Sequence, residues 1–151
     1  MSGGGILHLA APSDAGRLLP MVAAMQAEAG VEADETQRED AILPLLEGSP
    51  LGAVWLIGPQ MAPVGFVIVT FGWSMDAGGM DGVVDRIWIR EKVRGRGMGT
   101  EALAQLLPTL SEAGLKALHL EVGPDNERAL RLYKRWGFRM REAHRRMTWR
   151  A

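Results

Sequence analysis

The alternation of apolar and polar positions predicts a strand followed by two helices in the first third of the chain. A short strand is predicted at Ile6–Leu9. Helical spacing then predicts a helix over roughly Asp14–Glu28, with Ser13 as its N-cap. The sequence Thr36-Gln37-Arg38-Glu39 is a capping-box pattern, and it predicts the start of a second helix that ends near Glu47.

Beyond these helices the chain switches between strand-like runs and helical spacing. The predicted elements are strands over Leu51–Ile57, Val64–Trp73 and Val83–Arg90, a helix that follows a glycine-rich loop and ends at Gly114, a strand over Lys116–Val122, a helix between Asn126 and Gly137, and a last strand over Arg141–Trp149. The segment SMDAGGMDG, residues 74–82, is predicted as a turn or loop. The order β-α-α-β-β-β-α-β-α-β predicts a single α/β domain over residues 1–151, with residues 1–5 flexible.

Composition narrows the class of protein. The chain of 151 residues contains no cysteine, which excludes disulfides, thiolate nucleophiles and cysteine-ligated zinc. Its three histidines show no metal-ligand spacing, so we expect no metal site. The N-terminus does not read as a signal peptide, and no apolar run is long enough to span a bilayer. A cytoplasmic enzyme or binding module is therefore expected.

Charge is distributed unevenly along the chain. Residues 1–82 carry 2 basic and 10 acidic side chains, whereas residues 83–151 carry 15 basic and 8 acidic ones. One half could therefore attract a cation and the other an anion, although two solvated faces would give the same pattern. The arginines of the last predicted strand are interpreted as a solvated face, because no nucleic-acid recognition motif accompanies them.

The segment Arg94-Gly-Arg-Gly-Met-Gly-Thr100 is the strongest candidate for a binding site. Glycines let the backbone take a positive φ and let a ligand approach the amides closely. Because the loop opens a predicted helix, several N–H groups would point outward with the positive end of the helix dipole behind them. Arg94 and Arg96 could add charge-assisted hydrogen bonds. This pattern favours a ligand that contains a pyrophosphate.

Two nucleotide-binding patterns do not fit this loop. Gly95, Gly97 and Gly99 give G-x-G-x-G, which is out of register with the dinucleotide fingerprint G-x-G-x-x-G. Glu121 ends a following strand about where a ribose-binding acid would lie. However, the strands before the loop form a meander without βαβ units, and the Walker A lysine is absent.

Another pattern, Arg-x-x-Gly-x-Gly, fits as Arg94, Gly97 and Gly99. It follows a predicted strand, opens a helix, and is succeeded by LHLEVGPDNERALRLYKRWGF, residues 118–138. Over residues 82–138 this combination resembles the GNAT-type N-acetyltransferases, which use acetyl-coenzyme A. The resemblance implies a mixed, mostly antiparallel central sheet flanked by helices. It also implies that the sheet opens between the strands Val83–Arg90 and Lys116–Val122 to admit the cofactor.

The resemblance also implies roles for individual residues. The amides from Gly95 to Thr100 would hold the pyrophosphate, the backbone of Ile87–Ile89 would pair with the pantetheine arm, Asn126 would hydrogen-bond that arm, and Tyr133 would point at the sulfur. The residues so assigned to acetyl-CoA are Ile87, Trp88, Ile89, Arg94, Gly95, Arg96, Gly97, Met98, Gly99, Thr100, Asn126 and Tyr133.

Acetyl transfer to an amine needs a base for the ammonium proton, an oxyanion donor and an acid for the leaving thiolate. Tyr133 is the candidate acid, although it shares an apolar stripe with its helix neighbours and could be a core residue. Asp85 is the first candidate base, because strict alternation places it on the same face as Ile87 and Ile89. Glu121, near the expected opening of the sheet, is the second, and His119 is a distant third.

These features support an acetyl-CoA-dependent N-acetyltransferase that acts by direct transfer through a ternary complex. The predicted acceptor is a small basic amine or a peptide amine, because the segments expected on the acceptor side are acidic. No nucleic-acid or membrane partner is expected, and a homodimer is compatible with the sequence. The alternative from another class is a catalytically silent acyl-CoA sensor or partner-binding module on the same fold.

Overall fold

The structure, a computed structural model, describes residues 5–141 and 143–151. Its contacts divide the chain into two compact units, Met1–Leu120 and Glu121–Ala151. The first unit contains the sheet and three α-helices, and the second contains one α-helix.

A five-stranded sheet forms the centre of the first unit. Its strands are β1 (Leu7–Leu9), β2 (Gly52–Ile57), β3 (Gly65–Ser74), β4 (Gly79–Ile89) and β5 (Ala117–His119). They lie side by side in chain order, with β1 to β4 antiparallel and β5 parallel to β4. With the helices described next, this confirms the predicted fold class, a mixed and mostly antiparallel sheet flanked by helices.

The α-helices of the first unit, among the described residues, are α1 (Ala15–Glu28), α2 (Glu35–Leu46) and α3 (Met98–Glu112), and the second unit contains α4 (Glu127–Arg135). Helices α1 and α2 pack on one face of the sheet, and together with alternate residues of β2 and β3 they form a buried core. The side chains between those alternate residues point to the opposite face, where α3 contacts β1, β2 and β4.

The core explains why these segments fold as they do. Leu18 and Met21 of α1 are fully buried and pack with Val54, Leu56 and Phe66 of the sheet. Helical spacing on α1 and period-two spacing on β2 and β3 therefore place apolar side chains on the two sides of one interface. At about 25 cal/mol per Å² of apolar surface, such burial is the largest stabilising contribution to the unit.

Two predicted N-cap residues are wrong. The capping box forms at Asp34 and Gln37 rather than at Thr36 and Glu39: the Asp34 Oδ1 accepts from the Gln37 N–H at 2.8 Å, and the Gln37 Oε1 accepts from the Asp34 N–H at 2.9 Å. Both pairs have the required spacing, and Asp is the stronger N-cap residue. Ser13 does not cap α1 either, because it lies inside a 3₁₀ turn that precedes Ala15.

The sheet also departs from prediction at two places. Strand β4 begins at Gly79, so part of the predicted loop SMDAGGMDG is strand, and only a turn at residues 75–78 joins β3 to β4. The last predicted strand, Arg141–Trp149, is wrong for the residues of that segment that the structure describes, since none of them pairs with the sheet. Residue 142 lies outside the described residues.

Candidate active site

The glycine-rich loop between β4 and α3 has the backbone geometry that its sequence predicts. Gly95 and Gly97 have φ values of +80° and +78°, and Gly97 is the N-cap of α3. Within the described part of the chain, no intrachain acceptor is found for the N–H groups of residues 95–100, and residues 94–97 are exposed. These amides lie at the positive end of the 15-residue helix α3, which is an arrangement that binds phosphate.

Gly99 serves a different purpose from the other two glycines. Its φ does not lie in the left-handed region, and it belongs to the first turn of α3. A Cβ at this position would lie 3.9 Å from side-chain atoms of Ile87 and Ile89. The absence of a side chain therefore leaves space between the first turn of α3 and the end of β4.

The end of β4 has an open edge. Strand β5 pairs with β4 only from Asp81 to Val83, so residues 84–89 have no β5 partner. On its other side β4 pairs with β3, and the Arg90 N–H donates to the Val64 carbonyl at 2.8 Å. Because successive peptide groups point to opposite sides of a strand, the N–H and C=O groups of Ile87 and Ile89 face the open edge. The sheet thus offers backbone groups to an extended ligand beside the loop.

Trp88 is not presented to that edge. Alternation directs its backbone groups toward β3, where it lies opposite Phe66. Its side chain is 9% exposed, and its ring centroid lies 5.9 Å from that of Phe66 in the core beneath α1 and α2. Of the three residues predicted to pair with a pantetheine arm, only Ile87 and Ile89 have the geometry to do so.

Arg94 is held by contacts to the protein. Its Nη2 donates to both carboxylate oxygens of Glu28, at 2.6 and 2.9 Å, and its Nε donates to the Ile89 carbonyl at 2.7 Å. The guanidinium lies 5.7 Å from the ring centroid of Trp88, whose Nε1 also donates to Glu28. The hydrogen bond from Arg94 lowers the pKa of Glu28, and the bond from Trp88 adds to this effect. Arg96, by contrast, is exposed and has no ion pair within residues 5–141 and 143–151.

Asp85 lies in a β-bulge. The register sets Val84 opposite Val69 and Arg86 opposite Ile68, so Asp85 has no partner on β3. The bulge interrupts the alternation of side chains, so strict alternation no longer assigns Asp85 to the face of Ile87 and Ile89. The Asp85 side chain is exposed.

The second unit contains the remaining predicted site residues. As expected, Asn126 caps α4, with its Oδ1 accepting from the Ala129 N–H at 3.2 Å. Tyr133 packs edge-on against Phe138 with ring centroids 5.7 Å apart, and partial burial raises the pKa of its phenol. Glu121 is exposed and forms an ion pair with Arg146 at 3.0 Å.

Two polar contacts in the first unit were not predicted. Glu28 and Arg94 are 66 residues apart, and Asp81 and His119, which lie 3.1 Å apart between Oδ2 and Nε2, are separated by 38 residues. Neither pair forms a local motif, so only the adjacency of β4 and β5 could have suggested the second. No group of three or more possible metal ligands occurs among the described residues. Nor does any helix among them have the length and apolarity to cross a membrane.

The fold and this loop define the class: an α/β protein in which a glycine-rich helix N-terminus lies beside the open edge of β4. A model of the acetyltransferase (GNAT) family matches residues 19–138, and the chain belongs to that family. A curated relative is an uncharacterised N-acetyltransferase of Methanocaldococcus jannaschii, 31% identical over 81 residues, which are 53% of this chain and 36% of the relative. The match thus spans about a third of that protein's length.

Solved structures share the fold. An integron cassette protein from the mobile metagenome of the Cole Harbour salt marsh is 29% identical, with a TM-score of 0.80 over 100% of this chain and 95% of that one. A protein of Clostridium acetobutylicum, described as a predicted acetyltransferase and solved with acetyl-CoA, is 15% identical, with a TM-score of 0.72 over 94% of each chain.

Proposed function

We propose that this chain transfers the acetyl group of acetyl-CoA directly to a primary amine within a ternary complex. The observation that carries the proposal is the loop at residues 95–100, whose outward amides and positive-φ glycines adjoin the open edge of β4. A pyrophosphate on the amides and an amide-containing arm along β4 would satisfy both sets of backbone groups. The family match supports the use of acetyl-CoA.

The proposed cofactor-binding residues would act in three ways: as hydrogen-bond donors, by fixing the loop, and by pairing with the pantetheine arm. The amides of Gly95, Arg96, Gly97, Met98, Gly99 and Thr100 would hold the pyrophosphate, and Arg96 would add a charge-assisted contact. Arg94 would act mainly by fixing the loop, because Glu28 and the Ile89 carbonyl already hold its guanidinium. Ile87 and Ile89 would pair with the pantetheine arm, which Asn126 would also contact.

Acetyl-CoA supplies an activated thioester, and this chain would supply the proton transfers. Tyr133 is proposed as the acid that protonates the departing sulfur. Burial raises the pKa of this phenol, so it stays protonated throughout the neutral range and remains able to donate. A backbone N–H at the open edge of β4, near Ile89, would stabilise the developing negative charge on oxygen.

For the base, the two carboxylates proposed from sequence differ in their surroundings. Asp85 lies in the bulge of β4 and is exposed, so a bridging water would have to carry the proton. Glu121 is paired with Arg146, and both side chains are mostly exposed. Both carboxylates are thus open to solvent.

The proposed acceptor is a small cationic amine or a basic peptide amine. Helices α1 and α2 and the loop between them line an open groove of about 580 Å³, whose lining includes Gln26, Val31, Glu32, Asp34 and Arg38. Arg38 donates to the Gln26 side chain at 2.9 Å and to the Ala33 carbonyl at 3.0 Å. Glu32 and Asp34 are exposed, and they would favour a positively charged acceptor.

Thiol release is the direct test of the proposal. The chain has no cysteine, so a thiol reagent detects only coenzyme A and has no background from the protein. We expect saturable release of thiol from acetyl-CoA with spermidine or a basic peptide as acceptor. Tight acetyl-CoA binding by calorimetry, with no thiol release across a panel of amines, would instead favour the silent acyl-CoA-binding module.

A further inference from the structure

An aspartate–histidine pair lies where β4 and β5 separate. The Nε2 of His119 lies 3.1 Å from the Oδ2 of Asp81, and their side chains are 43% and 19% exposed. His119 is the last residue of β5, and its register partner, Val83, is the last residue of β4 that pairs with β5. The pair therefore lies at the point where the edge of β4 becomes open.

We propose that His119 is the residue that accepts the proton of the incoming amine, and that Asp81 positions its imidazole. This inference rests on the proposed function and names a base that the carboxylate candidates do not supply. A neutral imidazole is a base suited to neutral pH. When its Nε2–H donates to a carboxylate, the unprotonated nitrogen is Nδ1, which is then the proton acceptor.

The pair lies on the side of the sheet from which the proposed acceptor approaches. Ile68 belongs to the core formed with α1 and α2, and Thr70, two residues further along β3, shares its face. Thr70 lies opposite Val83, and Val83 lies opposite His119. His119 therefore lies on the face of the sheet that carries α1 and α2, the helices that line the acidic groove.

The proton and electron balance of the step is complete without a further reactant. A protonated amine transfers one proton to Nδ1 of His119, directly or through one water. The nitrogen lone pair then forms the C–N bond to the acetyl carbon, and the C–S bond breaks with its electron pair on sulfur. The sulfur is protonated by the acid, the second proton of the acylated nitrogen passes through water to restore the acid, and the imidazolium returns its own proton to solvent.

Other charged groups on the two strands define the setting of the imidazole. Asp81 faces it from β4, and Asp85 and Arg86 follow on β4 beyond the last paired residue. Arg86 donates to the Asp85 carbonyl at 2.9 Å. Lys116 precedes β5, and the methylenes of its side chain lie near Gly79. Asp81 is thus the one carboxylate that contacts His119 among the described residues.

The test compares each variant with a matched control. His119→Gln is compared with His144→Gln, because His144 is an exposed histidine of the second unit. Asp81→Asn is compared with Asp76→Asn, because Asp76 is an exposed aspartate of the β3–β4 turn. Thiol release from acetyl-CoA with spermidine is measured from pH 5.5 to 9, alongside acetyl-CoA binding by calorimetry. We expect His119→Gln to lower kcat at least about 100-fold, with cofactor affinity and Tm retained. It should also abolish the rise of kcat/KM with pH that the base produces in the wild-type protein.

Asp81→Asn should lower kcat about 10-fold and move that rise to lower pH, because an amide stabilises the protonated imidazole less than a carboxylate does. Both control variants should keep the wild-type profile. A His119→Gln protein that keeps the wild-type kcat and pH profile would overturn the assignment of the base and leave the proposed function standing. Absence of thiol release in the wild-type protein with every amine would reject both.

Discussion

At the scale of single residues, Gly97 and Gly99 lie in one loop but have different backbone conformations. Gly97 has a φ of +78°, which L-residues with a side chain rarely adopt, whereas Gly99 lies in the first turn of α3. A substitution at Gly97 therefore combines backbone strain with obstruction of a ligand. A substitution at Gly99 causes obstruction alone.

We expect Gly97→Val to reduce the free energy of unfolding by about 1–2 kcal/mol through strain and to weaken acetyl-CoA binding severely. Gly114→Val is the matched control, because Gly114 ends α3 with a φ of +97° and its Cβ would meet no atom within 4 Å. It should cost similar stability and leave cofactor affinity unchanged. Thermal unfolding and calorimetry measure the two effects, and unchanged affinity in folded Gly97→Val would reject the phosphate site.

Gly99→Ala should retain the wild-type Tm, since its backbone conformation suits any residue and its Cβ would make ordinary contacts with Ile87 and Ile89. Any loss of acetyl-CoA affinity would then result only from the added methyl group, which occupies space beside β4. Calorimetry with acetyl-CoA measures that loss. A fall of several degrees in Tm would show that the loop conformation differs from the one described here.

Tyr133→Phe should lower kcat about 100-fold while leaving Tm and acetyl-CoA affinity nearly unchanged, because an acid acts only as charge develops on sulfur.

Burial raises the pKa of the wild-type Tyr133 phenol above its ordinary value of 10.0. The wild-type protein should therefore lose stability as the pH rises above about 10, where the unfolded chain ionises this phenol more readily than the folded one. Tyr133→Phe should lose less, and an unchanged kcat would make Tyr133 a packing residue.

At the scale of elements, the ion pair between Glu28 and Arg94 connects the end of α1 to the loop before α3. Arg94 lowers the pKa of Glu28, so this carboxylate stabilises the folded state above pH 4.5 and loses its contribution as the pH falls. We expect Glu28→Gln to lower Tm at pH 7, with the difference from wild type shrinking as the pH falls below 4.5. Glu112→Gln, at the exposed end of α3, should not change Tm at either pH.

The same variant tests how Arg94 acts. If Arg94 fixes the loop, Glu28→Gln should weaken acetyl-CoA binding, because the guanidinium loses the contact that holds it. If Arg94 instead binds phosphate directly, releasing it from Glu28 should strengthen binding. Calorimetry with the variant and the wild type distinguishes the two outcomes by the sign of the change.

The elements that were predicted well are those with a long, regularly spaced series of apolar side chains that are buried in the core. Strand β2, strand β3 and helix α1 begin within one residue of their predicted bounds, because their buried side chains repeat with one period throughout. The loop was predicted because glycines at the start of a helix indicate positive φ values or a close approach to the backbone. The local sequence was therefore sufficient to predict both these elements and the loop.

What could not be predicted depends on neighbours that are distant along the chain. The bulge at Asp85 arises from the register between β3 and β4, and one extra residue changes which face the following side chains occupy. In the same way, the partner of Arg94 is 66 residues away. The alternating pattern of Arg141–Trp149 resembles that of a strand, yet a strand also requires a partner edge, which the sequence does not specify.

At the scale of the whole molecule, the structure shows which carboxylates of the acidic first half of the sequence form ion pairs. Some of its carboxylates are engaged: Glu28 by Arg94, and Asp81 by His119. Within the described residues, Glu32 and Asp34 on the groove between α1 and α2 have no ion pair. Two of the carboxylates without an ion pair thus lie beside the proposed acceptor site.

We expect Glu32 and Asp34 to make the reaction select cationic acceptors by charge. At saturating acetyl-CoA, kcat/KM for spermidine should exceed that for glutamate, and it should fall several-fold between ionic strengths of about 0.02 and 0.3 M, because salt screens exposed charges over about 10 Å. Glu32→Gln should lower kcat/KM for spermidine at low salt only, and Glu112→Gln, far along the chain on α3, should not. Steady-state thiol release measures each value. A preference for glutamate, or a spermidine rate that is independent of salt, would show that the acidic groove does not select the acceptor.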